Sequence, residues 1–160
     1  MGTFQLSSGG WAALAINFFS SLVSSALIIN IWEETAWASF VQIRLTDRHG
    51  LLIGSLLTAP AFIGIHLPLL LQQNTLPDLL ESFAALAGLA FFFRYLIGMI
   101  YLETGGSTLL VGLLHASFNS SGSLGTNNTQ IASIFATILI TLVFARYMSL
   151  FRSKRQFADL

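Results

Sequence analysis

Four apolar runs, roughly residues 11–31, 51–71, 79–102 and 129–150, dominate the chain. Each is near the twenty or so residues a helix needs to cross a hydrocarbon core. Such runs restrict the fold severely, because within a bilayer the backbone must satisfy its own hydrogen bonds. A fifth apolar stretch, roughly 107–122, reads "STLLVGLLHASFNSSG". It is short and polar-tipped, and spans only if other helices surround it. The composition agrees: 54% of the 160 residues are hydrophobic and 9% charged, with a mean hydropathy of +0.75. The expected fold is all-α, a polytopic transmembrane bundle of about five helices in a single domain over residues 1–160. The separators "TDRHG", "QQNTLPD", "ETGGS" and "GTNNT" are polar and rich in turn formers. There is no internal repeat and no low-complexity linker.

Seven Lys and Arg balance seven Asp and Glu, so no global field favours nucleic acid, which is excluded as a partner. The chain has no cysteine, so a metal would have to be held by His and carboxylate. The start, "MGTFQLSSGG", lacks the positive region of a cleavable signal peptide. It also lacks the Ser or Thr of a myristoylation site. The expected setting is an integral protein of a bacterial plasma membrane, with the lipid bilayer as its surroundings.

Positive residues near span ends favour the cytoplasmic side. Arg44 and Arg48 lie in the first connection, and Arg146, Arg152, Lys154 and Arg155 lie near the C-terminal end. Five helices put those two places on one side, while the connections 72–78 and 122–129 carry no Lys or Arg. The reading is a cytoplasmic C-terminus with a basic tail over about 151–160, and an N-terminus outside.

An ionisable group in hydrocarbon costs at least about 2.5–3.5 kcal/mol, which makes Glu33, Glu34, His66, Arg94 and His115 functional candidates. Asn119 stands one helical turn after His115. From a turn near 47–48, Glu33 and Glu34 lie roughly 20–22 Å up one helix and His66 about 28 Å up the next. From a turn near Gly105 and Gly106, Arg94 is roughly 17 Å up, His115 about 14 Å and Asn119 about 20 Å. Each residue has an ordinary alternative. The glutamates can mark a helix end, a lone histidine can be a packing residue, and Arg94 can snorkel to the interface. None of these accounts for the common depth of carboxylates, imidazoles and an amide on separate helices.

In that order and spacing the residues resemble the type II CAAX prenyl endopeptidase and bacteriocin-processing family of intramembrane proteases. "EETAW" supplies the Glu-Glu pair, Glu33 and Glu34, with Trp37. "FIGIH" supplies Phe62 and His66, and "HASFN" supplies His115 and Asn119. The resemblance covers about residues 25–122. It departs at Ala38, where the family pattern has Arg, and at Ser39, where it usually has Gly. Family members usually carry further N-terminal helices, so the chain reads as a short form or a core fragment.

The resemblance implies a hydrolytic site. Glu33 would activate water, Glu34 and His66 would hold it or steady neighbouring charge, and His115 and Asn119 would face the oxyanion. Peptide hydrolysis needs those three services. Which glutamate is the base stays open. A divalent metal such as zinc on Glu33, His66 and His115 is equally open, since two His and a Glu form a known ligand set. Arg94 lies at a depth to replace the positive charge missing at Ala38. Trp37 and Phe62 are substrate-side candidates. The expected substrate is a membrane peptide or a lipidated protein.

Two other readings compete. A catalytically impaired relative would bind a membrane peptide, or act as a bacteriocin-immunity factor, without cutting. A proton-coupled transporter or channel would need a polar path through an outer half that offers only Ser and Asn. Of the two Asn-x-Ser/Thr matches, at Asn119 and Asn127, the first is expected inside the bundle and therefore not a glycan site.

Overall fold

The computed structural model describes residues 10–72, 75–121 and 127–158. These form five helices: α1 Gly10–His49, α2 Leu51–Leu70, α3 Leu76–Glu103, α4 Thr108–Ser121 and α5 Asn127–Ala158. The fold is a helical membrane bundle. Helices α1, α2 and α3 are long and apolar enough to cross a bilayer, and α5 carries the shorter apolar stretch Ile134–Leu150. Helix α4, at 14 residues, extends only about 21 Å and depends on its neighbours. Residues 122–126, part of the expected connection 122–129, lie outside the described residues, as do 73 and 74 of "QQNTLPD".

The first apolar run does not end near 31. Helix α1 continues through the glutamates for 40 residues, about 60 Å, roughly twice a hydrocarbon core. It contains two π-helical stretches, Ala26–Asn30 and Trp37–Gln42, one on each side of the Glu-Glu pair. Their effect is visible in the buried residues Ala26, Asn30, Glu34, Ala38 and Gln42, each four after the last. In a regular α-helix a spacing of four drifts by about 40° per step, so this stripe would wander about 160° around the helix. The wider i→i+5 turn rotates the chain less per residue and cancels that drift. Five polar or small residues are thereby held on one inward face. Much of the rest of α1 stays exposed, including Trp11, Ile16, Phe19, Val23, Leu27 and Trp32, as suits a surface against lipid.

The turn from α1 to α2 is at Gly50, not at 47–48. Gly50 has φ 79° and ψ 162°, a region open in practice only to glycine. One turn on, a Cβ at Gly54 would lie 2.7–2.9 Å from Thr46, so the two helices pack almost backbone to backbone. Glu34 and His66 are both sixteen residues from Gly50, about 24 Å up their helices.

Helix α3 begins at a capping turn in which the Asp78 N–H donates to Thr75 Oγ1 at 3.3 Å, and the hydroxyl donates back to Asp78 Oδ2 at 2.6 Å. It ends at Thr104. Gly105 and Gly106, with φ of 66° and 88°, then reverse the chain into α4. Helix α4 lies tightly on α1, because a Cβ at Gly112 would come within 2.9 Å of Ile31 Cα. Helix α5 closes on α3, with Met148 packed against Leu96 and Met99. Beneath the site sits an apolar cluster that includes Ala38, Ala59, Phe62, Phe93, Ile97 and Val111.

Candidate functional site

Four of the five helices contribute to one buried polar network. The guanidinium of Arg94, on α3, donates from Nη1 to both oxygens of Glu34, at 2.9 and 3.0 Å. Its Nε and Nη2 both donate to Gln42 Oε1, at 3.0 and 2.6 Å. Gln42 Nε2 in turn donates to the Arg94 carbonyl at 2.7 Å and to Ser55 Oγ, on α2, at 3.0 Å. Ser55 Oγ completes the chain by donating to the Leu51 carbonyl at 2.8 Å. Glu34 and Arg94 are fully buried and Gln42 nearly so. A charge taken out of water is tolerated only when its partners are all in place, as they are here.

His115, on α4, joins from the other side. Its Nδ1 lies 2.8 Å from Glu34 Oε1 and 3.9 Å from Glu33 Oε2. An ionised carboxylate only accepts, so Nδ1 carries the proton and Nε2 is left for any further partner. The ring rests edge-on against Phe93, with centroids 4.9 Å apart. Phe62 is the hub below. It lies 5.2 Å from the Arg94 guanidinium carbon, 5.9 Å from the Trp37 ring and 4.7 Å from the His66 ring. Cation–π contact with a desolvated guanidinium adds to the holding of Arg94.

The two glutamates differ in environment. Glu34 is sealed, whereas the Glu33 side chain is 22% exposed. Glu33 Oε2 accepts a 3.3 Å bond from Asn30 Nδ2. Asn30 is itself fully buried, and its Oδ1 accepts from Ser25 Oγ at 2.6 Å and from Asn119 Nδ2 at 3.4 Å. Asn119 therefore reaches Glu33 through Asn30. It is an exposed residue at the bundle's edge, not an interior one: it stands one turn beyond His115 and two residues before the end of α4.

His66 shares the depth of the glutamates but joins them only through Phe62. Its Nδ1 donates to the Phe62 carbonyl at 2.7 Å, and among the described residues no ion pair links it to a carboxylate. Equal rise fixes height along the bundle but not direction around a helix. Among the described residues Glu33, His66 and His115 are not gathered as a metal site.

Sequence reasoning missed Gln42, Asn30 and Ser55, which carry much of the network. Their signal was the spacing of four through Asn30, Glu34, Ala38 and Gln42, which a search at the α-helical period passes over.

Fold and side chains together define a polytopic helical membrane protein with ionisable residues from separate helices converging inside the bundle. A family comparison matches the type II CAAX prenyl endopeptidase Rce1-like family over residues 15–121, about two thirds of the chain. The chain belongs to this family, which at family level makes it an integral membrane protein of the CAAX-protease type of intramembrane endopeptidase. Comparison with curated proteins and with solved structures gave no match.

Proposed function

We propose that the protein hydrolyses a peptide bond at the membrane with Glu33 as general base and without a metal. The observation that carries this reading is the asymmetry of the pair. Both oxygens of Glu34 are occupied by Arg94 and one also by His115, while Glu33 is part-exposed and held by one long bond. A base must be reachable by water and free to take a proton.

In the proposed reaction a water beside Glu33 gives it a proton as the oxygen attacks the peptide carbonyl carbon. The carbonyl oxygen becomes an oxyanion. When the adduct collapses, the C–N bond breaks and the proton passes from Glu33 to the departing amine. Glu34 fixes His115 through Nδ1, so the ring meets the oxyanion with Nε2 and donates there in its doubly protonated form. The Asn119 amide and His66 Nε2 are the further polar groups near the rim. Arg94 supplies the positive charge that Ala38 cannot. In support, the guanidinium bonds Glu34 and Gln42, the residues one turn before and one turn after Ala38 on its buried face. Trp37, part-buried and edge-on to the buried Phe62 ring, offers the apolar surface on which a lipidated peptide would lie. We place the C-terminus in the cytoplasm of a bacterial cell, with Arg44 and Arg48 on the same side.

The test is cleavage of a farnesylated CAAX-type peptide by the purified protein in lipid nanodiscs, followed by mass spectrometry. Cleavage is expected, and Glu33→Gln is expected to reduce it at least about a hundredfold. A parent protein that binds the peptide without cutting it, with Glu33→Gln binding equally well, would replace the peptidase by a binder.

A further inference from the structure

We propose that Gln42 is a positioning residue that clamps the Arg94 guanidinium and leaves a single nitrogen, Nη1, directed at Glu34. Gln42 is buried, and its side-chain amide makes four hydrogen bonds. Oε1 accepts from Arg94 Nε and Nη2, and Nε2 donates to the Arg94 carbonyl and to Ser55 Oγ. Donors and acceptors are thus matched at both ends of the same arginine. A side chain tied through Nε, Nη2 and its own carbonyl cannot rotate to present a two-nitrogen fork to Glu34. One nitrogen shared between two carboxylate oxygens is the result.

The space for the clamp is made by a neighbour. A Cβ at Gly98, one turn after Arg94, would lie 2.6 Å from Leu51 Cδ1 and would collide with Gln42 Nε2. Glycine at that position therefore admits the amide, and alanine would displace it. The consequence reaches the other carboxylate. Glu34 oxygens held by one nitrogen keep room for His115 Nδ1 on Oε1, and His115 is the group that stands between Glu34 and Glu33. Loss of the clamp frees the guanidinium to rotate about Nε–Cζ, so that Nη1 no longer holds Glu34 in the position that keeps Oε1 for the imidazole. Gln42 acts on the reaction through Arg94 and His115, without touching substrate.

The kinetic arm rests on the peptidase reading; the spectroscopic arm does not. In protein labelled with ¹⁵N-arginine, restricted rotation about the Arg94 Nε–Cζ bond should give separate, slowly exchanging Nη1 and Nη2 signals, assigned by their loss in Arg94→Lys. Gln42→Met, of similar length but without the amide, is expected to merge or broaden them. It should also lower kcat about ten- to hundredfold with KM unchanged. Gly98→Ala should act in the same direction, because it moves the amide without removing it. Ser55→Ala, which takes away one of two acceptors, should give a smaller change. Signals that stay separate in folded Gln42→Met, or in folded Gly98→Ala should the first variant aggregate, would overturn the clamp. Merged signals in a protein whose parent cuts no peptide would keep the clamp and discard the peptidase.

Discussion

Arg94 Nη1 lies 2.9 and 3.0 Å from the two carboxylate oxygens of Glu34, and neither side chain is exposed. In such a pair the desolvation of both charges offsets much of their attraction, so the pair as a whole adds little to stability. Removal of one member is different, because it leaves the other buried and unmatched. Glu34→Gln and Arg94→Met should each lower the unfolding free energy by about 3–5 kcal/mol. The double variant should recover part of that loss. Denaturant titration in micelles measures all three, and a double variant whose loss equals the sum of the single losses would contradict the pairing.

The contact between α4 and α1 is equally specific. A Cβ at Gly112 meets Ile31 Cγ1 at 2.8 Å and Ile31 Cα at 2.9 Å, and backbone cannot yield as a flexible side chain can. Gly112→Ala should therefore push the helices apart at a cost of about 1–3 kcal/mol. It should also reduce activity, since His115 is carried on the next turn of α4. Gly88 is the control, because a Cβ there meets nothing within 4 Å. Gly88→Ala should be neutral or slightly stabilising in a thermal melt, given the greater helix propensity of alanine.

The helix count and the ionisable members of the buried network were legible because each had a local signal. Apolar runs marked the spans, glycines and polar clusters marked the turns, and charge in a hydrophobic run marked Glu33, Glu34, Arg94 and His115. What stayed hidden depended on rotation about the helix axis. The two π stretches bring Gln42 and Asn30 onto the face of Glu34, and no propensity rule announces a π turn. The direction of His66 is likewise an azimuthal fact, set by how α2 rolls against α1, whereas the exposure of Asn119 goes with its place two residues before the end of α4. Depth counted from a turn gives one coordinate of three, and it was the one that agreed.

A metal-dependent mechanism makes a separate demand on the same residues. Among the described residues Glu33, His66 and His115 are not gathered as a metal site, and the two imidazoles pack against Phe62 with ring centroids 4.7 and 6.0 Å away. Cleavage should therefore survive dialysis against 1,10-phenanthroline, with no stoichiometric zinc in the purified protein by elemental analysis. Loss of activity on chelation and its return with zinc would mean that the ligands rearrange when substrate binds.

The last expectation separates the two adjacent glutamates by comparing stability with activity. Glu34 has three hydrogen bonds from charged or ring donors and no exposure, so its removal should damage both folding and turnover. Glu33 is part-exposed, accepts one 3.3 Å bond from Asn30, and stands 3.9 Å from the His115 ring, too far for a hydrogen bond. Glu33→Gln preserves its shape and leaves the network around Arg94 intact. Its unfolding free energy should stay within about 1 kcal/mol of the parent, the scale of one ordinary hydrogen bond. Its cleavage rate should nevertheless fall at least about a hundredfold, the scale of a lost general base. The two variants, measured side by side in the same nanodiscs, assign the roles. If Glu33→Gln retains full turnover while Glu34→Gln is folded and inactive, the base is the buried residue and Arg94 must move to release it.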